Sequence, residues 1–161
     1  MKKLLFLLCL LSWSALNAQK TINRPPFIAK ATETIEIAAV HLSDTATVID
    51  VDAKFTPKYW ICIAPATCLV ADNGERYQVR QGVGIELGQE FWMPESGEAT
   101  FSLIFPPLPP SVKSFDFVEG EGERDFNLFG ISLTGKLPKL QLPKGLEKAG
   151  KTVAVDLPTP E

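Results

Sequence analysis

The sequence predicts an all-β fold, an immunoglobulin-like antiparallel β-sandwich of about eight short strands with an extended C-terminal linker. Three observations support this prediction. Short segments alternate apolar and polar residues with a period of two, clusters of Gly, Asn, Asp and Pro separate them, and no segment inside the domain repeats apolar residues at helical spacing. Frequent short strands with regular turn signals are typical of a sandwich.

The first residues resemble a secretory leader. Lys2 and Lys3 precede an apolar run at positions 4–13, which is followed by smaller residues up to Ala18. The run is shorter than the about 20 apolar residues that a membrane-spanning helix needs. We therefore predict a signal peptide at 1–18, cleaved near Ala18, a β-sandwich domain at 19–135, and export to the periplasm or extracellular space with no membrane span after cleavage.

Charge and composition limit the partners. The formal net charge is -3, the lysines are dispersed over most of the chain, and nucleic acid is therefore not an expected partner. Residues 136–161 lose the alternation and repeat Leu-Pro-Lys, which indicates a semi-rigid linker or tail. We expect an unidentified protein or cell-envelope partner, and the linker raises the possibility of a downstream domain in the same polypeptide.

Two alternating segments open the domain. In TETIEIAAVHLSD the apolar positions change from odd to even, which predicts a β-bulge, and Ser43-Asp44 predicts a hairpin turn to the next strand. TATVIDVDAKFTP predicts a half-buried strand whose inward residues are Ile49, Val51, Ala53 and Phe55.

The middle of the domain is less regular. KYWICIA has no polar face, which predicts a central strand covered on both sides. In TCLVADNGERYQVRQG, Asp72-Asn73-Gly74 predicts a β-hairpin, because Asn-Gly between alternating apolar residues is the strongest short-range hairpin signal. The glycine-rich segment that follows predicts a short strand around positions 83–87.

Prolines bracket the next strand. Residues 94–97, Pro-Glu-Ser-Gly, suit a turn, Phe101, Leu103 and Phe105 alternate, and Pro106 ends the ladder because it has no N–H. PPLPPS predicts an extended connection from one sheet to the other. KSFDFVEG predicts another strand, and a second change of phase in RDFNLFGISLTG predicts a bulge beside Gly130.

The cysteines Cys62 and Cys68 lie in CIAPATC. If the chain folds back at Pro65, they face each other across a hairpin, and an oxidising compartment favours a structural disulfide. Free thiols are the alternative. A redox pair is disfavoured, because the spacing is not that of a Cys-x-x-Cys motif and no helix N-terminus is available to lower a thiol pKa.

The other polar candidates do not predict a catalytic or cofactor site. The residues Glu119, Glu121, Glu123 and Asp125 suggest a calcium loop, although a solvated acidic loop explains the same pattern. His41 is the only histidine and lies in a predicted strand, where we expect it to point outward. We predict no catalytic residue, no bound metal and no cofactor.

Four aromatic residues have two interpretations. Tyr59, Trp60, Phe91 and Trp92 could bind a sugar or a peptide at the surface, but core filling explains them more simply because aromatic side chains dominate sandwich interiors.

The run EFWMPESGEATFSLIFPPLPPSVKSFDFVEGEGERDFNLFGISLTGK, with its phrases FPPLP and FDF, resembles the N-terminal β-sandwich region that precedes thioredoxin domains in some TlpA-like periplasmic proteins of gut and oral bacteria. The resemblance covers Arg24 to Lys136. It implies a multidomain exported protein whose thiol chemistry belongs to a later Cys-x-x-Cys domain. CIAPATC does not match that redox motif, so no catalytic residue carries over.

These observations predict a non-catalytic exported module that serves as a binding, spacer or accessory domain. The alternative is the N-terminal part of a TlpA-like thiol-disulfide oxidoreductase whose catalytic domain is missing here. A small stand-alone enzyme needs a cleft with clustered ionisable groups, which the sequence does not indicate.

Overall fold

Alternating apolar residues form antiparallel sheets in the computed structural model, which describes residues 20–122 and 125–137. The first sheet has the strand order β1-β3-β4-β10-β8, and its strands are β1 (Lys20–Asn23), β3 (Ile35–Leu42), β4 (Thr47–Lys54), β10 (Glu98–Phe105) and β8 (Gln81–Val83). The described residues contain no helix long and apolar enough to cross a membrane.

The second sheet has the order β2-β12-β11-β6-β7. Its strands are β2 (Ala29–Lys30), β12 (Asn127–Ser132), β11 (Ser114–Val118), β6 (Cys68–Ala71) and β7 (Arg76–Gln78). A separate two-stranded ribbon pairs β5 (Trp60–Ile61) with β9 (Phe91–Trp92). The predicted all-β sandwich is confirmed, with several strands shorter and the strand number higher than expected.

Large apolar side chains from both sheets form the core between them. Phe105 of β10 meets Phe117 of β11 edge to face, with ring centroids 6.4 Å apart. Burying one such ring contributes about 1.5–3 kcal/mol relative to leaving it exposed. The other fully buried large side chains are Ile35, Val40, Ile49, Val51, Ile63, Leu69, Leu103, Phe115, Leu128 and Ile131.

The bulge and both predicted hairpins are confirmed. The β3–β4 register shifts between Ile37 and Ala39, so that Val40 enters the core after the bulge. A four-residue loop begins at Ser43, whose N–H donates to the Ala46 carbonyl at 3.0 Å. The β6–β7 hairpin turns at residues 72–74, where Gly74 adopts a φ of 86°.

The proline-rich segment carries the chain from β10 in the first sheet to β11 in the second, as predicted. Leu108 lies between two pairs of prolines, which have no N–H. Its own N–H donates a hydrogen bond to the buried Thr47 Oγ1 at 3.0 Å. The segment therefore crosses the end of the sandwich without leaving that amide unpaired.

The second predicted bulge is also confirmed. Phe115 pairs with Ile131 but Phe117 pairs with Leu128, so two residues of β12 lie opposite one residue of β11. Gly130 occupies the bulge with a φ of 66°, and its N–H donates to the Asp116 carboxylate at 2.6 Å.

Three strand predictions were wrong in part. KYWICIA is not a central strand, because among the described residues only its Trp60 and Ile61 form strand pairs, and these are with β9. Phe55 follows the end of β4 and is 39% exposed instead of buried. The strand expected at 83–87 ends at Val83, because the chain turns there, although Ile85 is buried.

The predicted leader and most of the predicted linker lie outside the described residues, as does Glu123.

Candidate functional site

The predicted outward position of His41 is correct, and its ring bridges two strands. Nδ1 lies 3.0 Å from the Thr21 hydroxyl on β1, and Nε2 lies 2.8 Å from the Asp50 carboxylate on β4. The bulge in β3 creates this arrangement, because it returns Val40 to the core and turns His41 to the outer face. Asp50 also accepts a hydrogen bond from the Ser102 hydroxyl on β10 at 2.7 Å.

We interpret this hydroxyl–imidazole–carboxylate arrangement as structural, because each side chain already has a partner on a neighbouring strand. Partial burial raises the pKa of Asp50, but hydrogen bonds from Ser102 and His41 and the proximity of the imidazole outweigh it and hold the pKa below its ordinary value. The network joins four strands of the first sheet.

The cysteines Cys62 and Cys68 are free thiols in the structure. The hairpin expected at Pro65 does not form, because β5 pairs with β9 whereas β6 pairs with β7 and β11. Residues 64–67 form a turn instead, in which the Thr67 N–H donates to the Ala64 carbonyl. Arg76 Nη1 lies 3.5 Å from Cys68 Sγ. Cys68 and the next residue, the buried Leu69, point to opposite faces of β6.

The acidic loop includes a structural carboxylate. Glu119 accepts the Ala64 N–H and the Phe126 N–H, each at 2.8 Å, and thereby fastens two segments to each other. Asp125 accepts the Gly122 N–H at 2.7 Å. Glu121 is exposed, and Glu123 lies outside the described residues. Within the described residues, no group of three or more His, Cys, Asp or Glu side chains is placed to hold a metal ion.

The aromatic residues of the ribbon are the largest departure from expectation. Tyr59, Trp60 and Trp92 are 62%, 47% and 60% exposed, so core filling is wrong for these three. Trp60 and Trp92 are directly paired across the ribbon and therefore lie on the same face. Only Phe91 packs inward, tilted against Phe101 with centroids 6.4 Å apart.

An open cleft of about 780 Å³ is lined in part by Tyr59 and Trp60; we call it the aromatic cleft. It is formed by residues from three distant parts of the chain, namely the segment after β2, the segment from Phe55 to Ala64, and the loop before β12. The aromatic and acidic side chains that line it are Phe55, Tyr59, Trp60, Phe126, Glu33, Glu119 and Asp125.

The backbone is strained where it enters the ribbon. Lys58 has a φ of 64°, a left-handed conformation that non-glycine residues rarely adopt. Its N–H donates to the Met93 carbonyl at 3.2 Å, and the Met93 N–H donates to the Tyr59 carbonyl at 2.8 Å. These bonds hold the strained turn in place, and the turn leads directly into the exposed Tyr59 and Trp60.

Cys62 also lines the aromatic cleft. Burial, reinforced by the nearby carboxylates of Glu119 and Glu90, raises the pKa of this thiol, although a hydrogen bond from the Gly88 backbone opposes the effect. A redox-active cysteine requires the opposite shift.

A second open groove of about 660 Å³ lies on the first sheet and is lined by charged residues. Arg24 pairs with Asp52 at 2.5 Å and approaches Glu36 at 3.5 Å, and Lys54 pairs with Glu98 at 3.2 Å. The charged groups of these exposed pairs bind one another, and none of the described residues that line the groove is aromatic.

Comparison with protein-family models, curated proteins and solved structures finds no match to this chain. The resemblance to the region preceding thioredoxin domains in TlpA-like proteins therefore stays a prediction.

The sequence contained a signal for the aromatic cleft that its analysis did not use. Successive side chains of a strand point to opposite faces, so Tyr59 and Trp60 cannot both enter one core. Pro57 and Pro65 on either side shorten any strand between them. Together these features favour a short ribbon with at least one exposed ring.

Proposed function

We propose that this chain is an exported, non-catalytic β-sandwich module that binds a partner through the aromatic cleft. The observation that carries the proposal is the exposure of Tyr59 and Trp60, which line that cleft, and of Trp92, which pairs with Trp60 across the ribbon. As a binding, spacer or accessory domain, it presents a rigid aromatic surface and contributes no reacting group.

Physical arguments support a binding role for these rings. Burying one aromatic side chain is favourable by about 1.5–3 kcal/mol. A partner that covers the three exposed rings would therefore gain free energy that the isolated domain does not obtain. Trp and Tyr are enriched among the residues that dominate binding energy, because they offer a large contact area at a low entropic cost. The strained turn at Lys58 is a second feature that clusters at binding sites.

The proposal is tested by probing the purified chain on arrays of glycans and of peptides. The wild-type chain should retain at least one class of probe, and the double variant W60A/W92A should lose it, because the variant removes both paired rings. The matched control is Phe129→Ala, which removes a ring that is 39% exposed on β12, outside the aromatic cleft. Circular dichroism and Tm establish that all three chains are folded.

The result that contradicts the proposal is an array on which no probe distinguishes the wild-type chain from the folded double variant. Retention that disappears equally in the Phe129→Ala control also contradicts it, because the effect would then not belong to the aromatic cleft.

A second candidate function is that of the non-catalytic domain ahead of a TlpA-like thiol-disulfide oxidoreductase domain. Its support is the resemblance of residues 24–136 to the region that precedes such domains, and the raised pKa of Cys62 means that burial disfavours a reactive thiolate at this position. Sequencing the reading frame beyond the codon for Glu161 tests it. A downstream Cys-x-x-Cys domain is the expected result, and a stop codon directly after Glu161 contradicts it.

A further inference from the structure

The charged side chains that line the aromatic cleft all have one sign among the residues that the structure describes. Among the described residues that line it, the charged groups are Glu33, Glu119 and Asp125, and none is a lysine or arginine. Glu33 is partly neutralised by Lys30, whose Nζ lies 2.7 Å away. Glu119 and Asp125 both lie in the loop before β12, and they are the other two charged groups among the described lining residues.

These two carboxylates are anchored by the backbone and retain capacity for a further partner. Glu119 accepts two backbone N–H groups and Asp125 accepts one. A carboxylate offers about four acceptor positions, so these bonds fix the direction of the groups without exhausting them. Burial raises the pKa of Glu119 despite the hydrogen bonds from the Phe126 and Ala64 N–H groups, Asp125 raises it further, and a cation placed beside the two carboxylates would relieve the cost of their charge.

Aromatic rings line the same cleft. Tyr59 and Trp60 line it, and both are substantially exposed. A cation over the face of Trp or Tyr gains about 0.5–2 kcal/mol from the ring quadrupole. Rings and carboxylates that border one cleft favour a group that combines an apolar stem with a positive end, which describes the lysine and arginine side chains.

We propose that the aromatic cleft binds a lysine- or arginine-bearing segment of a protein partner. This inference rests on the proposed binding function and specifies its ligand. The stem of the ligand side chain packs against Tyr59 and Trp60, and its charged end meets Glu119 and Asp125. A neutral glycan would use the same rings but would gain nothing from the charge.

The test measures the affinity of the purified chain for a short blocked peptide of glycine and serine that carries several lysines. The matched probe is the same peptide with Nε-acetylated lysines, and a third peptide carries arginines. Acetylation should weaken binding by about tenfold or more, because it removes the charge and with it the cation–π and carboxylate contacts. Added NaCl should weaken binding of the lysine and arginine peptides.

Three variants assign the effect to the cleft. Trp60→Ala should weaken lysine-peptide binding about tenfold. Asp125→Asn should weaken it several-fold while keeping an oxygen that can accept the Gly122 N–H. The control Glu98→Gln removes a carboxylate that pairs with Lys54 and is not among the residues that line the aromatic cleft, and it should leave the affinity unchanged.

Equal affinity for the lysine and acetyl-lysine peptides overturns the inference, as does full affinity in Asp125→Asn or the absence of any binding to the lysine and arginine peptides. The proposed function is judged separately. If an array glycan is retained by the wild-type chain and lost by W60A/W92A, the binding function stands and only the cationic ligand is wrong. If no array probe depends on these tryptophans, both fail.

Discussion

At the scale of single residues, Glu119 shows how one side chain can fix the geometry of a loop. Its two carboxylate oxygens accept N–H groups from Ala64 and Phe126, which belong to two segments of the aromatic cleft that are far apart in the sequence. The Glu119 N–H in turn donates to Asn127 Oδ1 at 2.9 Å. A single carboxylate therefore joins the turn after β5 to the start of β12.

Replacing Glu119 by Gln should lower the free energy of unfolding at pH 7 by about 1–3 kcal/mol, the cost of leaving a buried N–H without an acceptor. Gln offers one oxygen where Glu offers two, so its amide group would face a backbone donor. Urea unfolding of the two chains measures the difference. Glu121→Gln, which changes an exposed carboxylate of the same loop, should have no effect on that scale.

The difference in the free energy of unfolding between the wild-type chain and Glu119→Gln should depend on pH. Burial raises the pKa of Glu119 above 4.5 in the folded state, so the folded chain binds this proton more tightly than the unfolded chain. The associated stability is fully present below pH 4.5 and is lost as the pH rises through the folded pKa. The wild-type chain should therefore gain stability relative to Glu119→Gln as the pH falls toward 4.5. A constant difference would contradict this assignment.

At the scale of elements, the β12 bulge depends on a glycine for two separate reasons. Gly130 has a φ of 66°, and a Cβ placed there would lie 2.5 Å from Ile28 Cδ1 and 2.6 Å from its Cγ1. The Ile28 N–H donates to the Phe129 carbonyl at 2.9 Å, so displacing Ile28 loosens the attachment of the short edge strand β2.

Gly130→Ala should therefore destabilise the chain more than a substitution that adds only left-handed strain. The control is Gly74→Ala, since Gly74 has a φ of 86° but no atom within 4 Å of an added Cβ. We expect a loss of about 1 kcal/mol for Gly74→Ala and about 2–4 kcal/mol for Gly130→Ala, measured by urea unfolding. Equal losses would mean that Ile28 moves aside freely.

The elements also show what local pattern can and cannot predict. Both changes of hydrophobic phase predicted real bulges, because a one-residue insertion must move every later side chain to the other face. Asn73-Gly74 predicted its hairpin for an equally local reason, the left-handed glycine. The prediction for Tyr59 to Ile63 is wrong because the apolar residues of this segment do not reveal that Trp60 and Ile61 pair with the two-residue strand β9.

At the scale of the whole molecule, the aromatic cleft could not be predicted because its walls meet only in the fold. Residues near Glu33, near Trp60 and near Asp125 are far apart in the sequence and share no spacing that identifies them. The expectation that aromatic side chains fill a sandwich core is generally sound, and it holds for Phe105, Phe115 and Phe117. It failed for the tryptophans because the ribbon lies outside the two main sheets.

A network of polar side chains connects the strands of the first sheet on its outer face. We expect this network to make the stability of the domain sensitive to acid. Thr21, His41, Asp50 and Ser102 connect β1, β3, β4 and β10, and Asp50 contributes two of the three hydrogen bonds. Its pKa is held below the ordinary value of 3.8 by the hydrogen bonds from Ser102 and His41, which outweigh the effect of burial.

A depressed carboxyl pKa stabilises the fold above the unfolded-state value, and this stability is lost as the pH falls through the lower folded value. Asp50→Asn should therefore be less stable than the wild-type chain at pH 7 by about 1 kcal/mol, a modest figure because the side chain is 39% exposed and its contacts are screened by water. Below pH 3.8 the difference should shrink, because the wild-type chain must protonate Asp50 and the variant has no such proton to bind. Urea unfolding at pH 7 and at successively lower pH measures both effects, with Asp44→Asn in the exposed β3–β4 loop as the control that changes the same charge outside the network. If the free energy of unfolding of Asp50→Asn and of the wild-type chain fell in parallel below pH 3.8, the hydrogen bonds of Asp50 would not be the source of the acid sensitivity.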